Sequence, residues 1–204
     1  MLTRVLHFLV KHPAVYDAVQ VAVGARKVQR VLAEELAQLS PRGRVVDVGG
    51  GTGAWKPLFP ASVRHVCLDL DPLKLHGFVA KFADGCAVLG DATAMPFADG
   101  SLDMVWCVFV SHHLDDSALR RALDEAARVL KPDGVLVFSD ALLIARRWPG
   151  RLLWRYDRGK HPRALDVQRA AIERRFEITR ERRFAAVHAY ALFVARPIAN
   201  AAIR

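Results

Sequence analysis

The sequence predicts an α/β fold in which helices cover both faces of a mostly parallel β-sheet whose last strand runs antiparallel. Two observations predict this fold. From Arg44 onward, short β-rich runs alternate with helical stretches of roughly a dozen residues, which is the pattern of a parallel sheet with helical crossovers. Near the C-terminus, two further β-rich runs are joined by a connection too short for a parallel crossover, so this pair should be antiparallel.

The first forty residues are predicted to be helical. Val28, Leu32, Leu36 and Leu39 recur at the spacing that places apolar side chains on one face of a helix. The segment 40–43 should end this helix, because it combines a proline with a glycine.

Five β-rich runs and two helices are predicted for the middle of the chain. A helix should follow Pro72, because proline suits a first helical turn, and an amphipathic helix should run from Asp116 or Ser117 to Leu130. The predicted strands are Val45–Val48, His65–Leu68, Ala87–Leu89, Leu102–Val108 and Val135–Ser139.

The C-terminal part is predicted to hold one helix and the antiparallel strand pair. Asp166 should cap a helix over 167–174, because aspartate is a favoured N-cap residue. The two strands should cover Phe176–Phe184 and His188–Arg196.

The composition is that of an ordinary globular protein of about one domain, with 204 residues of which 52% are hydrophobic and 25% charged. No uncharged apolar stretch reaches the roughly 18 residues of a membrane-spanning helix. Cys67, Cys86 and Cys107 lie in apolar runs and are interpreted as buried, reduced thiols, which favours a cytoplasmic location. The formal net charge is +9, and seven Lys or Arg residues lie between Arg146 and Arg163.

The predicted strand Val45–Val48 leads directly into a glycine-rich turn. Glycines let the backbone approach a ligand closely, and a following helix presents unpaired N–H groups to it. The run also fits the relaxed GxGxxA dinucleotide fingerprint, so a nicotinamide or flavin ligand stays open. Asp47 instead favours a ligand with a cationic group, because a buried carboxylate there would repel a pyrophosphate. The glycines are Gly49, Gly50, Gly51 and Gly53.

Several segments in the right order resemble class I S-adenosylmethionine-dependent methyltransferases of the small-molecule type, similar to the ubiquinone/menaquinone methyltransferase-like family. Asp47-x-Gly49-x-Gly51-x-Gly53 matches the first motif of that family. The resemblance covers roughly residues 40–140, with Asp133 at a position where glycine is common. The other matching segments are 67–72, 90–103, 112–116 and 130–134.

The resemblance implies a Rossmann-like sheet of seven strands and assigns residues to S-adenosylmethionine. Asp47 and the glycine-rich turn would hold the methionine part, Asp69 the ribose hydroxyls, and Asp91 with Ala92 the adenine. Leu70 and Cys107 complete the predicted cofactor-binding set. We divide the single predicted domain into an N-terminal helical lid (1–40), a cofactor-binding core (41–140), a basic aromatic lid loop (141–164) and a C-terminal helix with the antiparallel strand pair (165–204).

Three side chains are candidates for the chemistry. Because the methyl group of a sulfonium is already activated, the protein mainly has to align the acceptor, and a base is needed only where the acceptor loses a proton. His112, His113 and Asp140 lie at the carboxyl ends of predicted strands, where ligands bind in such sheets, although packing roles stay open for all three. No set of residues has the spacing of metal ligands, and no GxSxG motif indicates a hydrolase.

The basic aromatic segment has three competing interpretations. It is a lid whose arginines bind an anionic acceptor, a patch that contacts an anionic membrane, or a solvated loop. Tyr16, His112, Trp148, Arg158 and Arg163 are the candidate substrate-binding residues. Nucleic acid is a disfavoured partner, because the chain lacks the (D/N)PP(Y/F) tetrapeptide of amino-group DNA methylases.

The sequence therefore predicts methyl transfer from S-adenosylmethionine to a small-molecule acceptor that is anionic or lipophilic. Two alternatives stay open at this point. One is an NAD(P)-dependent oxidoreductase on a related sheet, and the other is a protein that binds the cofactor without turnover. The oligomeric state does not follow from the sequence.

Overall fold

The structure, a computed structural model, describes residues 25–143, 160–186 and 188–198. Within these ranges the helices and strands alternate as the sequence predicts. The helices are α1 (Ala25–Leu39), α2 (Pro72–Lys81), α3 (Asp116–Val129) and α4 (Leu165–Glu173). The strands are β1 (Arg44–Val48), β2 (Arg64–Asp69), β3 (Cys86–Leu89), β4 (Leu102–Val108), β5 (Leu130–Ala141), β6 (Phe176–Ala185) and β7 (Ala189–Pro197).

In the described part of the chain, seven strands form one sheet in the order β3-β2-β1-β4-β5-β7-β6. Strands β1 to β5 pair in parallel with their neighbours, whereas β7 runs antiparallel to both β5 and β6. The predicted mostly parallel sheet with an antiparallel last strand is therefore confirmed. The strand order reverses between β1 and β4, and ligands bind at such a switch point outside the carboxyl ends of the strands.

Helices cover both faces of the sheet, as predicted. Apolar side chains of α1 pack on one face against Trp106, which is fully buried, and α2 packs on the same side through Phe78. The buried stripes of α3 and α4 pack on the opposite face against residues such as Val105 and Phe138. Both faces of β1 and β4 are consequently buried, which explains why these strands are almost continuously apolar in the sequence.

The helix starts differ from the predicted ones by one or two residues. Asp115, and not Asp116 or Ser117, caps α3, because its carboxylate accepts a hydrogen bond from Ala118 N at 2.7 Å. The N-cap of α4 is Ala164, so Asp166 is not a cap and lies in the first turn, where a negative charge complements the helix dipole.

Strand β5 is longer than predicted. Residues 131–134, which separate the predicted helix end at Leu130 from the predicted strand Val135–Ser139, lie inside the strand at a shift of register between β4 and β5. Such a bulge accommodates the additional residues without ending the pairing.

One cysteine prediction is wrong. Cys67 and Cys107 are buried as predicted, but Cys86 is exposed. Its strand, β3, lies at the edge of the sheet, so its side chains are covered less completely than those of the central strands. None of the helices that the structure describes is long and apolar enough to cross a membrane.

Candidate functional site

The predicted cofactor and catalytic residues that the structure describes lie at the carboxyl ends of the parallel strands. Asp69 ends β2, Asp91 follows β3, and His112 with His113 lies in a 3₁₀ turn just after β4. Asp140 is the second-last residue of β5. Because parallel strands end at one edge of the sheet, these side chains are brought to the same side of the molecule.

The glycine-rich turn after β1 depends on glycine at specific positions. Gly49, Gly51 and Gly53 have φ values of 64°, 56° and 80°, in the left-handed region that favours glycine. The N–H groups of Gly49 and Gly50 both donate to Leu68 O of the neighbouring strand, at 2.7 and 3.2 Å. The turn is thereby fixed against β2 with its backbone next to Asp69.

Replacing Gly53 by Ala should destabilise the fold. A Cβ at this position would lie 2.6 Å from ring atoms of both Phe78 and Phe82, in addition to the strain of the positive φ. We expect the free energy of unfolding to fall by roughly 2–4 kcal/mol, measured by denaturant titration. Gly100→Ala is the matched control, because Gly100 has a φ of 59° with no atom within 4 Å of the added Cβ. Equal losses for the two variants would show that packing against the phenylalanines contributes nothing.

Asp69 links the glycine-rich turn to the start of α2. Its Oδ2 accepts a hydrogen bond from Gly51 N at 2.9 Å, and its Oδ1 accepts one from Asp71 N at 2.9 Å. Asp71 in turn caps α2 by accepting from Leu73 N at 2.9 Å. Each carboxylate oxygen of Asp69 keeps a second lone pair, so the group can accept further hydrogen bonds from a ligand. The neighbouring Leu70 is 64% exposed and offers an apolar surface beside it.

Asp47 is buried beneath the glycine-rich turn. Its side chain is 1% exposed, and neither carboxylate oxygen has a hydrogen-bond partner among the residues described. His65 Nε2 lies 3.4 Å from Oδ2 without the alignment of a hydrogen bond, so the contact is electrostatic. Burial raises the pKa of the Asp47 carboxyl, against a lowering contribution from His65.

The loop after β3 is held by two charged residues of α3. Asp91 closes its own turn by accepting from Thr93 N at 2.8 Å, and Ala92 is buried in the core. Glu125 Oε2 accepts from Met95 N at 2.7 Å, while Arg128 donates to Met95 O at 2.9 Å and to Phe97 O at 2.8 Å. Glu125 and Arg128 also pair with each other at 2.7 Å.

The Glu125–Arg128 pair should make stability depend on pH. The hydrogen bond from Arg128 lowers the pKa of Glu125. A carboxyl whose pKa is lowered on folding contributes its stability above the unfolded pKa of about 4.3 and loses it as the pH falls through the folded value. We expect Glu125→Gln to lower the free energy of unfolding by about 1 kcal/mol at neutral pH, and the difference from wild type to disappear under acidic conditions.

Denaturant titrations at a series of pH values would measure this difference. Glu173→Gln provides the control, because Glu173 is an exposed carboxylate at the end of α4. A deficit of Glu125→Gln that stayed constant down to low pH would contradict the role of the ionised carboxylate.

The Asp140 carboxylate contacts three polar groups of the turn after β4. Its Oδ2 accepts from Ser111 Oγ at 2.5 Å and from His112 N at 3.0 Å, and its Oδ1 lies 2.8 Å from His112 Nδ1. Since an ionised carboxylate only accepts, Nδ1 of His112 donates, which places the lone pair of the imidazole on Nε2. Asp140 is 1% exposed and His112 is 8% exposed. The His113 ring lies 4.1 Å from the His112 ring, centroid to centroid.

An aromatic group lies at the same edge of the sheet. Phe109, which directly follows β4, has a φ of 61°, a strained value for a residue with a side chain. Its ring contacts Trp55 at 5.7 Å and Tyr190 at 5.5 Å between centroids. These three half-buried rings pack against the core cluster that includes Trp106.

Two further predicted site residues, Arg163 and Cys107, are buried in the protein. Arg163 is 6% exposed and donates to Ser111 O at 2.7 Å, to Leu114 O at 2.7 Å and to Asp116 at 2.8 Å, so its guanidinium holds the turn after β4 together. Cys107 is buried, and burial raises the pKa of its thiol, which keeps it protonated. Tyr16, Trp148 and Arg158 lie outside the described residues, as do most of the two predicted lid segments.

Residues 46–138 match the protein family described as "Methyltransferase domain". This range runs from β1 to β5 and contains the glycine-rich turn and the carboxylates described above. The matched range, a little under half of the chain, is similar to a methyltransferase domain. The Rossmann-like fold that the resemblance implies is confirmed by the seven-stranded, mostly parallel sheet with its antiparallel last strand.

Two curated relatives of this range have names that indicate different substrates. The chain is 36% identical over 115 residues to a malonyl-[acyl-carrier protein] O-methyltransferase of Erwinia billingiae, covering 54% of this chain and 45% of that protein. It is 34% identical over 120 residues to a demethylmenaquinone methyltransferase of Renibacterium salmoninarum, covering 58% and 50%. The chain thus spans about half the length of these curated relatives.

A solved structure shares the fold at low sequence identity. The geranyl diphosphate C-methyltransferase of Streptomyces coelicolor, solved with Mg2+, geranyl diphosphate and S-adenosyl-L-homocysteine, superposes with a TM-score of 0.68 at 14% identity, over 85% of this chain and 82% of that one.

Sequence reasoning missed four residues that the geometry connects to the site. Ser111 and the Glu125–Arg128 pair act through contacts between residues about 30 positions apart, which no local pattern reveals. His65 had a visible signal, because it is a polar residue at an alternate position of an otherwise apolar strand and therefore shares a sheet face with Cys67.

Proposed function

We propose that this protein transfers a methyl group from S-adenosylmethionine to a small-molecule acceptor. One observation carries the proposal: carboxylates lie within two residues of the carboxyl ends of three adjacent strands, β1, β2 and β3, around a glycine-rich turn. These carboxylates, Asp47, Asp69 and Asp91, offer a cation site and acceptors for hydroxyl and amino groups. The similarity to a methyltransferase domain supports the same activity.

The side chains present fit the three parts of S-adenosylmethionine. Asp47, buried without a hydrogen-bond partner in the described ranges, suits the ammonium group of the methionine part. Asp69 has free acceptor capacity for the two ribose hydroxyls, and the loop of Asp91 and Ala92 suits the adenine. The backbone at Gly51 has a φ of 56° and no side chain, which suits the close approach of such a ligand.

When bound, the cofactor supplies an activated methyl group for an in-line displacement. The chain has to orient the acceptor, exclude water and remove any proton that the acceptor loses. Asp140 holds the His112 imidazole through Nδ1, so Nε2 is the nitrogen that takes this proton. The aromatic group around Phe109 adds apolar surface at the same edge of the sheet.

The acceptor, in this proposal, is a small molecule with an ionisable O–H or C–H bond, since a base is useful only for such an acceptor. Tyr16, Trp148 and Arg158 remain proposed substrate contacts. The net positive charge between Arg146 and Arg163 favours an acceptor with a carboxylate or phosphate group. Acceptors that differ only in such a group, compared by KM at low and high salt, would test this preference, and equal KM values would contradict it.

Calorimetry with S-adenosylhomocysteine is the direct test of cofactor use. We expect saturable binding to one site per chain, and we expect S-adenosylhomocysteine but not NADH to raise the melting temperature. Stabilisation by NADH alone would replace the proposal with an oxidoreductase. Binding followed by no methyl transfer in a broad screen of small-molecule acceptors would limit the protein to cofactor binding.

A further inference from the structure

A buried acid–base pair lies under the glycine-rich turn, and one of its members, His65, has no role in the function proposed above. Asp47 of β1 and His65 of β2 have side chains that are 1% and 3% exposed, and His65 Nε2 is 3.4 Å from Asp47 Oδ2. All four polar side-chain atoms of the pair lack a hydrogen bond within the described part of the chain. Buried polar groups are nearly always hydrogen-bonded, so a pair in this state requires an explanation.

The surroundings of the pair are apolar and therefore disfavour any uncompensated charge on it. The His65 ring lies between Phe59 at 5.0 Å and Phe78 at 6.1 Å, centroid to centroid, so no water-like environment stabilises an isolated charge on it. Asp47 lies against the turn itself, because a Cβ on Gly50 would be 2.8 Å from Asp47 Oδ2. A cation bound at the turn would therefore be close to this carboxylate.

The other ionisable groups around the pair lie on β2, β4 and α2. Burial raises the pKa of Cys67 to about 12, and burial also raises the pKa of Cys107, so both thiols stay neutral. Asp69 adds a negative charge that opposes ionisation of Asp47. Lys74 on α2 faces the outer side of the turn at Gly51. In the residues that the structure describes, His65 is consequently the closest basic partner of Asp47.

Charge balance determines how many protons the pair holds. A carboxylate beside a neutral imidazole would leave one uncompensated negative charge in the core, and a carboxylic acid beside an imidazolium would leave one positive charge. With one shared proton the pair is neutral overall, either as acid and imidazole or as carboxylate and imidazolium. The second form is disfavoured once an ammonium group binds at the same place, because the imidazolium and the ammonium would then be two cations beside one carboxylate.

We propose that Asp47 and His65 share one proton in the free protein and release it to solvent when the ammonium group of the cofactor binds beside Asp47. This inference rests on the proposed use of S-adenosylmethionine. The charges balance: the neutral pair loses H+, Asp47 remains as carboxylate, His65 is left neutral, and the incoming ammonium supplies the positive charge. His65 is thus a positioning residue, because it determines the protonation state of Asp47 before the cofactor binds.

Calorimetry of S-adenosylhomocysteine binding in buffers of different ionisation enthalpy measures the proton release. The measurement is made at acidic pH, where the ligand's α-amino group stays fully protonated, and we expect release to approach one proton per site. In the binding profile, which is the affinity plotted against pH, the affinity should fall about tenfold for each pH unit below the midpoint. Methylthioadenosine, which lacks the amino acid part, should bind without releasing a proton. Binding of S-adenosylhomocysteine with no proton release at any pH would overturn the inference while leaving the proposed function intact; absence of binding would overturn the proposed function itself.

Two substitutions assign the release to the pair. His65→Phe keeps the ring packing but removes the base, so Asp47 holds its proton more tightly and the midpoint of the binding profile should move to higher pH, weakening binding about tenfold for each unit of the move. Asp47→Asn should abolish the release. His76→Phe is the control, because His76 is exposed on α2 and should change neither quantity. If His65→Phe folds and its binding profile superposes on the wild-type profile, His65 does not share the proton of Asp47. If His65→Phe does not fold, His65→Gln is used instead, with the same expected shift.

Discussion

Replacing His112 by Gln is expected to lower kcat by roughly 100- to 10,000-fold, the usual contribution of a positioned general base. The imidazole is fixed through Nδ1 by a carboxylate that is itself held by Ser111 and by backbone N–H groups, so its Nε2 is pre-oriented. Steady-state rates with the acceptor found by screening would check this. An unchanged kcat for His112→Gln would remove the assignment of His112 as the base.

Asp140→Asn should reduce kcat to a similar extent without changing the cofactor Kd. An amide in place of the carboxylate donates as well as accepts, so the tautomer of His112 with its lone pair on Nε2 is no longer selected. His113→Gln separates the two neighbouring histidines, since a greater loss for His113→Gln than for His112→Gln would move the base to His113. His76→Gln, an exposed histidine replaced in the same way, should leave kcat unchanged.

Asp69→Asn is expected to weaken binding of S-adenosylhomocysteine by roughly 100-fold or more. The carboxylate is the proposed acceptor for two ribose hydroxyls, and hydrogen bonds to a charged group contribute about 1.5–3 kcal/mol each. The substitution also removes an acceptor from either Gly51 N or Asp71 N, which loosens the turn against β2. Isothermal titration calorimetry measures the change directly.

Asp71→Asn is the matched control for Asp69→Asn, two positions away. Asparagine caps a helix about as well as aspartate, so α2 should keep its start and the Kd should change only a few-fold. An unchanged Kd for Asp69→Asn would remove the ribose assignment. A comparable loss in both variants would indicate that the turn, and not the ribose contact, dominates the effect.

The fold could be predicted from sequence where its signals are local. The strand before the glycine-rich turn, the helix after Pro72 and the antiparallel C-terminal pair all follow from periodicity, turn residues and connection length. The errors concern details that depend on backbone angles or on neighbours. The cap of α3 is one residue earlier than predicted, and Cys86 is exposed because its strand has a single neighbour in the sheet.

From the sequence, the candidate site could be predicted only as a set of polar residues near the carboxyl ends of strands. The sequence placed His112 and Asp140 among the candidates but could not show that the two contact each other, because they are 28 positions apart. The Asp47–His65 contact likewise depends on the pairing register, in which Val45 lies beside His65 and Asp47 beside Cys67. Register is a property of the assembled sheet, so the charge coupling between two strands follows only from the structure.

Two segments of the chain, just after β5 and just before α4, pair with each other. Leu142 bridges to Arg163, Leu143 N donates to Arg163 O at 2.9 Å, and His161 N donates to His112 O at 2.9 Å. Residues 144–159 connect these two paired points in the sequence. Because the free energy of closing a loop depends only weakly on its length, replacing this connection by one of another length should leave the paired points and the carboxyl edge of the sheet in place.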